Sequence, residues 1–123
     1  MEVILDTNFI LSCFRRKIDF LSRLQEEGFS VKVPKEVVHE LKELKFKHNK
    51  HDEKVNINLA LQLIDQNPQI KTIKLGNKTV DQGLIELGRK GIYIASLDSV
   101  VRRSVPNRVI ISDSKNDILV ERE

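Results

Sequence analysis

Short apolar runs alternate with segments of helical spacing along the whole chain. The runs are rich in β-branched residues and bounded by polar turn formers, which predicts buried strands of a parallel sheet. Between them, apolar residues recur every three or four positions, which predicts amphipathic helices that pack on that sheet. Strands are predicted at residues 3–5, 29–33, 70–75, 92–95 and 108–111, with a further short one at 118–120.

Helices are predicted in the intervals between these strands. The apolar spacing over residues 8–27 predicts two helices that break near residues 16–17, and Gly28 is placed to end the second. Pro34 suits the first turn of the next helix. Residues 45–54 show no clear period, which predicts a polar connection or a helix end. Further helices are predicted at residues 55–66, at 79–90 and from about residue 99.

The order of these elements predicts an α/β fold, a three-layer sandwich with a central, mainly parallel sheet of about five strands. We expect a single domain over residues 1–123, because this length is enough to bury an apolar core. The single cysteine, Cys13, has apolar neighbours, which predicts core packing and excludes an internal disulfide. Since no apolar run approaches the length of about 18 residues that a membrane span needs, we expect a cytoplasmic protein.

Two acids follow predicted strands. Asp6 comes directly after the strand at 3–5, and Asp98 follows the strand at 92–95 through the small hydroxyl residue Ser96. The carboxyl ends of parallel strands meet at one edge of a sheet, where open α/β folds bind their ligands. Each acid is also explained as the N-cap of the helix that follows it, and the sequence leaves both interpretations open.

Glu40 lies beside the apolar stripe of its predicted helix, while Glu36 and Glu43 are expected to point further out. A glutamate at such a border often packs its stem and keeps its carboxylate in water, which is an alternative to a functional role. Asp81 lies on the arc of its helix that is expected to face the sheet. There too a structural alternative exists, because Thr79 and Gln82 fit a capping box and an acid favours the first helical turn.

If the two strands are neighbours, the four acids converge at one end of the sheet. Clustered carboxylates raise one another's pKa values unless a cation neutralises them. An all-oxygen set of ligands without His or Cys suits Mg²⁺ or Mn²⁺, and such ions promote in-line attack on a phosphodiester. The residues therefore predict metal-dependent phosphodiester hydrolysis.

Four stretches of the chain, in this order, resemble the motifs of the PIN domain family, a nuclease fold with a central parallel sheet. They are LDTNFIL, VPKEVVHELKEL, TVDQGLIELG and IYIASLDSVVRR, and the resemblance covers about residues 2–112. It implies a ribonuclease that uses Mg²⁺ or Mn²⁺ and is directed at single-stranded RNA. It also implies four catalytic, metal-binding acids, Asp6, Glu40, Asp81 and Asp98, and polar partners of these ligands or their waters, Thr7, Asn8 and Ser96.

The chain departs from the usual PIN pattern at two places. Many PIN domains have a second acid directly after the third one, where this chain has Gln82, and this difference implies a weaker second metal site. Many also read Thr-Asn-Asp where this chain has Ser96-Leu97-Asp98. Small PIN proteins are often toxins of toxin–antitoxin pairs, and others process ribosomal RNA. The resemblance therefore implies an antitoxin or a ribosome-associated partner, and it implies a homodimer.

The charge balance fits a polyanionic ligand once the four site acids are set aside. The chain has 21 basic and 18 acidic residues, so 14 acids then remain against 21 basic residues. Its six aromatic residues form no evident stacking row, which predicts weak base recognition. An alternative function is a catalytically weak PIN-like module that binds RNA or protein. The residues predicted to contact RNA are Arg15, Arg16, Lys17, Lys45, Lys47, Lys50, Arg102 and Arg103.

Overall fold

The fold is built on one six-stranded sheet, in a computed structural model that describes residues 1–47, 50–76 and 79–123. The strands are β1 (Glu2–Leu5), β2 (Ser30–Pro34), β3 (Lys71–Ile73), β4 (Tyr93–Ala95), β5 (Arg108–Ser112) and β6 (Asp117–Glu121). The helices are α1 (Thr7–Arg15), α2 (Phe20–Glu26), α3 (Lys35–Lys47), α4 (His51–Gln66), α5 (Val80–Arg89) and α6 (Ser99–Ser104).

The strands lie in the order β3-β2-β1-β4-β5-β6. β1 to β5 are parallel, and β6 runs antiparallel to β5. The chain runs outward from β1 through β2 and β3, and then crosses back to place β4 on the other side of β1. This reversal makes the β1–β4 junction the switch point of the sheet, where α/β folds open a crevice at the carboxyl ends of the strands. Leu5 lies opposite Ala95 in the register, so both strands end at this junction.

Each face of the sheet buries its own apolar layer. Successive side chains of β1 point to opposite faces, so Val3 and Leu5 join the large cluster with α1 to α4, and Ile4 joins the smaller one with Leu84 of α5. Cys13 is fully buried in the larger cluster, which confirms its predicted core position. The predicted three-layer sandwich with a mainly parallel sheet is also confirmed.

Some element boundaries differ from the predicted ones at polar positions. α4 begins at His51 rather than at residue 55, and Pro34 ends β2 instead of opening α3. The acids in the first turn of α4 suit a helix N-terminus but have no apolar period, so the pattern did not reveal that turn. Residues 48–49, within the predicted polar connection, lie outside the described residues. No helix in the described ranges has the length and apolar character needed to cross a membrane.

α5 packs closely at Gly88, against Val105 after α6 and Ile94 of β4. A Cβ atom there would lie 2.3 Å from Val105 Cγ1 and 2.8 Å from Val105 Cβ. A Cβ atom at Gly83 would lie nearest to the side chain of Leu75, at 3.0–3.2 Å.

We expect Gly88→Ala to lower the free energy of unfolding by about 1–3 kcal/mol, because the overpacking outweighs the gain in helix propensity. Urea denaturation measures this change, and Gly83→Ala is the matched control with the same gain in propensity. Equal stabilities of the two variants would contradict the prediction.

Candidate functional site

Asp6 lies at the switch point of the sheet, between the end of β1 and the start of α1. Its backbone N–H donates to the carbonyl of Ala95 at 2.9 Å, which extends the pairing of β1 with β4 by one step. Asp6 is only 9% exposed, and in the described part of the chain the other buried polar residues are Thr7 and Ser96. The fold therefore buries one carboxylate, with a hydroxyl residue on each side of it.

Both oxygens of the Asp6 carboxylate accept hydrogen bonds. Oδ1 accepts from the backbone N–H of Thr7 at 2.8 Å, and Oδ2 accepts from the hydroxyl of Ser96 at 3.0 Å. Asp6 is thus the N-cap of α1, although a usual cap serves the second or third helical N–H rather than the first. Its second oxygen contacts the residue that follows β4, so capping accounts for only half of its contacts.

A buried hydroxyl links the two acids that follow strands. Ser96 is fully buried, and its Oγ donates to Asp6 while it accepts from the backbone N–H of Asp98 at 3.1 Å. Asp98 is exposed, and its Oδ1 accepts from the N–H of Val101, the third residue of α6, at 3.0 Å. Asp98 is therefore an ordinary N-cap through one oxygen. The link that the structure shows between Asp98 and Asp6 runs through Ser96.

Thr7 connects α1 with Glu40 of α3. Its hydroxyl donates to Glu40 Oε2 at 2.7 Å, and Glu40 is half-buried. This bond holds the carboxylate of a distant helix beside the first turn of α1. A cleft of about 260 Å³ opens there, lined by Thr7, Asn8, Glu40, Glu43, Leu44 and Lys47.

Glu36 and Glu43 do not both point outward as the sequence suggested. Glu43 lines the cleft and pairs with His39 at 2.9 Å. Glu36 is half-buried, and its carboxylate accepts from the backbone N–H of Leu75 at 3.1 and 3.2 Å. Spacings of three and four residues along α3 place Glu43 on the same face as Glu40, and this was the sequence pattern that could have revealed it.

Burial and two of the predicted acids influence the pKa of Asp6. Burial is the largest cause that raises the pKa of Asp6, and the hydrogen bonds from Thr7 and Ser96 act in the opposite direction. The negative charges of Glu40 and Asp81 raise this pKa further. Glu40 on α3 and Asp81 on α5 are therefore within electrostatic reach of Asp6.

Asp81 is exposed in the first turn of α5. The predicted capping box is present, since Thr79 Oγ1 accepts from the N–H of Gln82 at 3.2 Å and Gln82 Oε1 accepts from the N–H of Thr79 at 3.4 Å. Leu84, on the same arc as Asp81, is buried. Asp81 thus lies at the open end of the arc that faces the sheet.

The four acids fit a divalent cation in kind, because all are oxygen donors and the buried one would gain from a positive charge. Their side chains are not gathered as a metal site: within the described ranges, no group of three or more His, Cys, Asp or Glu is placed to hold an ion. Asp6 is held by its hydrogen bonds, and the carboxylate of Asp98 is engaged in capping α6.

The cations predicted to contact RNA fall into two groups. Arg15 makes a bidentate ion pair with Glu53 of α4, at 2.7 and 2.8 Å, and Arg16 pairs with Asp113 of the β5–β6 turn. These arginines join separate elements of the fold, a role that suits the planar guanidinium group. Of the other predicted cations, Arg102 is half-buried, and Lys17, Lys45, Lys47, Lys50 and Arg103 are exposed.

Comparison with known proteins identifies relatives of this fold. A sequence model of the PIN domain family matches residues 3–118. The structure is similar to that of the PIN domain endonuclease Utp24, with a TM-score of 0.70 and 20% identity over 99% of this chain and 95% of that one. It is also similar to VapBC2 from Rickettsia felis bound to a DNA fragment from their promoter, with a TM-score of 0.55 and 15% identity over 85% of this chain and 96% of that one. No curated protein gives a significant match.

A raised pKa at Asp6 means that ionisation of this carboxyl opposes folding. For such a group, stability is lost as the pH rises from the ordinary pKa of 3.8 through the pKa in the folded state. We expect Asp6→Asn, which keeps a capping side chain, to be more stable than the parent at neutral pH by about 1 kcal/mol. The difference should disappear below about pH 4, where the parent carboxyl is protonated in both states.

Urea denaturation in chelator, from acidic to neutral pH, measures this difference. Asp65→Asn, a substitution of an exposed acid on α4, is the matched control and should show no such trend. A stability difference that does not change with pH would exclude the ionisation of Asp6 as its cause.

Proposed function

The chain belongs to the PIN domain family and has a nuclease-type fold, and on that premise we propose that it is a metal-dependent endoribonuclease that hydrolyses single-stranded RNA. The observation that carries this proposal is the buried Asp6 at the switch point of the sheet, within electrostatic reach of Glu40 and Asp81. A carboxylate that only capped α1 would need neither burial nor acidic neighbours. A site for a cation accounts for both.

The residues that would hold Mg²⁺ or Mn²⁺ are the four acids of the PIN resemblance. We propose Asp6 and Asp98 as direct ligands, with Glu40 and Asp81 acting largely through water. Bound there, the cation would activate water and stabilise the leaving oxygen of a phosphodiester. The Asp98 carboxylate has one oxygen in its cap to Val101, and its exposed position leaves the other side of the group accessible to solvent.

Two hydroxyl residues of the chain orient the proposed metal ligands. Ser96 contacts Asp6 Oδ2 at 3.0 Å and the Asp98 backbone N–H at 3.1 Å, so one buried hydroxyl connects the Asp6 carboxylate with the backbone of Asp98. Thr7 orients Glu40 in the same way, at 2.7 Å. Preorganised ligands of this kind need little rearrangement when the reaction occurs. Ser96 and Thr7 are therefore proposed as positioning residues rather than as catalytic ones.

Single-stranded RNA is the proposed substrate because the cleft beside α3, of about 260 Å³, is lined by the acids Glu40 and Glu43 and by a cation, Lys47. A single strand can present one phosphodiester to such a cleft, and the sequence contains no motif that reads duplexes. The role as a toxin or an RNA-processing enzyme, the antitoxin or ribosome-associated partner, and the homodimer all remain predictions from the family resemblance.

We expect the parent protein to cleave single-stranded RNA in Mg²⁺ or Mn²⁺, and Asp6→Asn or Asp98→Asn to lower the rate at least about a hundredfold. A gel assay on a labelled single strand, a duplex RNA and a duplex DNA measures this, with Asp65→Asn as the control that retains activity. Equal or faster cleavage of duplex DNA would contradict the proposed substrate. A parent that binds RNA without cleaving it would favour the alternative of a binding module.

Metal binding has its own readout in thermal melts. We expect Mn²⁺ to raise the melting temperature of the parent, because a ligand stabilises the state that binds it. At a hundredfold excess over the dissociation constant, the free energy of unfolding should rise by about 2.7 kcal/mol. Asp6→Asn and Asp98→Asn should lose this shift, and Asp65→Asn should keep it. An intact Mn²⁺ shift in both site variants would mean that these acids are structural caps.

A further inference from the structure

One aromatic ring of this protein lies outside the core. Phe46, in the last turn of α3, is 85% exposed, which makes it the most exposed large apolar side chain of the described residues. The other five aromatic residues pack against one another in the pairs Phe9–Phe20, Phe14–Phe20 and Phe29–Tyr93. An exposed phenyl ring buries little apolar area in the fold, so it is available for a contact outside this chain.

Phe46 directly precedes, in the last turn of α3, a residue that lines the acidic cleft. Glu40, Glu43 and Lys47 line that cleft along one face of α3. Phe46 directly precedes Lys47 and, at 3.6 residues per turn, lies roughly 60° around the helix from Glu43. Lys45, on its other side in the sequence, is exposed. The ring is therefore one position from a residue that lines the cleft, and a lysine precedes and follows it in the sequence.

This combination suits a single-stranded nucleic acid better than a protein. Protein contacts are typically marked by contiguous apolar patches. The residues one turn before Phe46 on α3 are Lys42 and Glu43, both exposed and polar, so the ring does not extend an apolar stripe of that helix. An aromatic ring between cations can stack on a base while the ammonium groups contact the flanking phosphates, and this requires no particular base.

We propose that Phe46 stacks on a base of single-stranded RNA, at a nucleotide next to the one whose phosphate enters the cleft, with Lys45 and Lys47 on the flanking phosphates. This inference rests on the proposed function, since it takes RNA as the ligand of the cleft. It agrees with the predicted weak base recognition, because stacking on one ring requires no particular base. Phe46 binds substrate in this proposal and takes no part in the chemistry.

The test measures the affinity for a short, labelled single-stranded RNA by fluorescence anisotropy in chelator, where binding is observed without cleavage. Phe46→Ala and Phe46→Leu should weaken binding about fivefold or more, because both remove the ring, while Phe46→Tyr should retain the affinity of the parent. Leu119→Ala, which shortens an exposed apolar side chain on β6, is the matched control and should change nothing.

A second series uses the same RNA with one abasic nucleotide moved along the strand. In the parent, one position should weaken binding, and in Phe46→Ala the abasic nucleotide at that position should cause no further loss. Parent-like affinity of Phe46→Ala or Phe46→Leu, or the same abasic dependence in both proteins, would overturn the inference and leave the ring to a protein partner. No binding of single-stranded RNA by the parent would overturn it as well.

The cleavage assay separates this inference from the proposed function. If the parent does not cleave RNA but shows the predicted dependence on Phe46, stacking holds and the nuclease proposal fails. If the parent cleaves RNA and Phe46→Ala binds it equally well, the nuclease proposal holds and stacking is wrong.

Discussion

The pairing of β1 with β4 is the constraint on which the candidate site depends. Leu5 and Ala95 lie opposite each other at the ends of these parallel strands, and the pairing continues in the hydrogen bond from the Asp6 N–H to the Ala95 carbonyl. This register places Asp6 beside Ser96, so the acid and the hydroxyl meet directly after their strands. A slip of one residue would turn the side chains of β1 to the opposite face and separate the two groups.

Burial of Asp6 opposes folding, and the surrounding residues only partly offset it. A carboxylate removed from water loses hydration that two hydrogen bonds do not fully replace, so burial remains the largest influence on its pKa. Glu40 and Asp81 add negative charge instead of relieving it. Asn would cap a helix about as well without this burden. The arrangement is therefore one that a positive charge would stabilise, which is the physical basis for assigning a function to it.

The sequence predicted those parts of the fold in which apolar residues keep a clear period, such as the strands around Ile4 and Ile94. It did not predict the start of α4, because the polar residues of that turn have no period. Periodicity also predicts strands without predicting their order in the sheet. The expectation that Asp6 and Ser96 lie close together therefore depended on the family resemblance. For Asp6 the two interpretations, helix cap and site acid, do not exclude each other. Only one of its carboxylate oxygens caps α1, and the other contacts Ser96.

Net charge does not distinguish the cations that stabilise the fold from those that a ligand can reach. The ion-pair partners of each cation in the structure do distinguish them. Arg15 already makes two hydrogen bonds to Glu53, so a phosphate would only replace one paired contact with another. An exposed lysine gives up water and counterions when a polyanion approaches, and the release of counterions favours binding. Lys45 and Lys47 are of this kind, and the one exposed ring, Phe46, lies between them. The groups suited to RNA thus gather at the end of α3, beside the carboxylate that Thr7 holds.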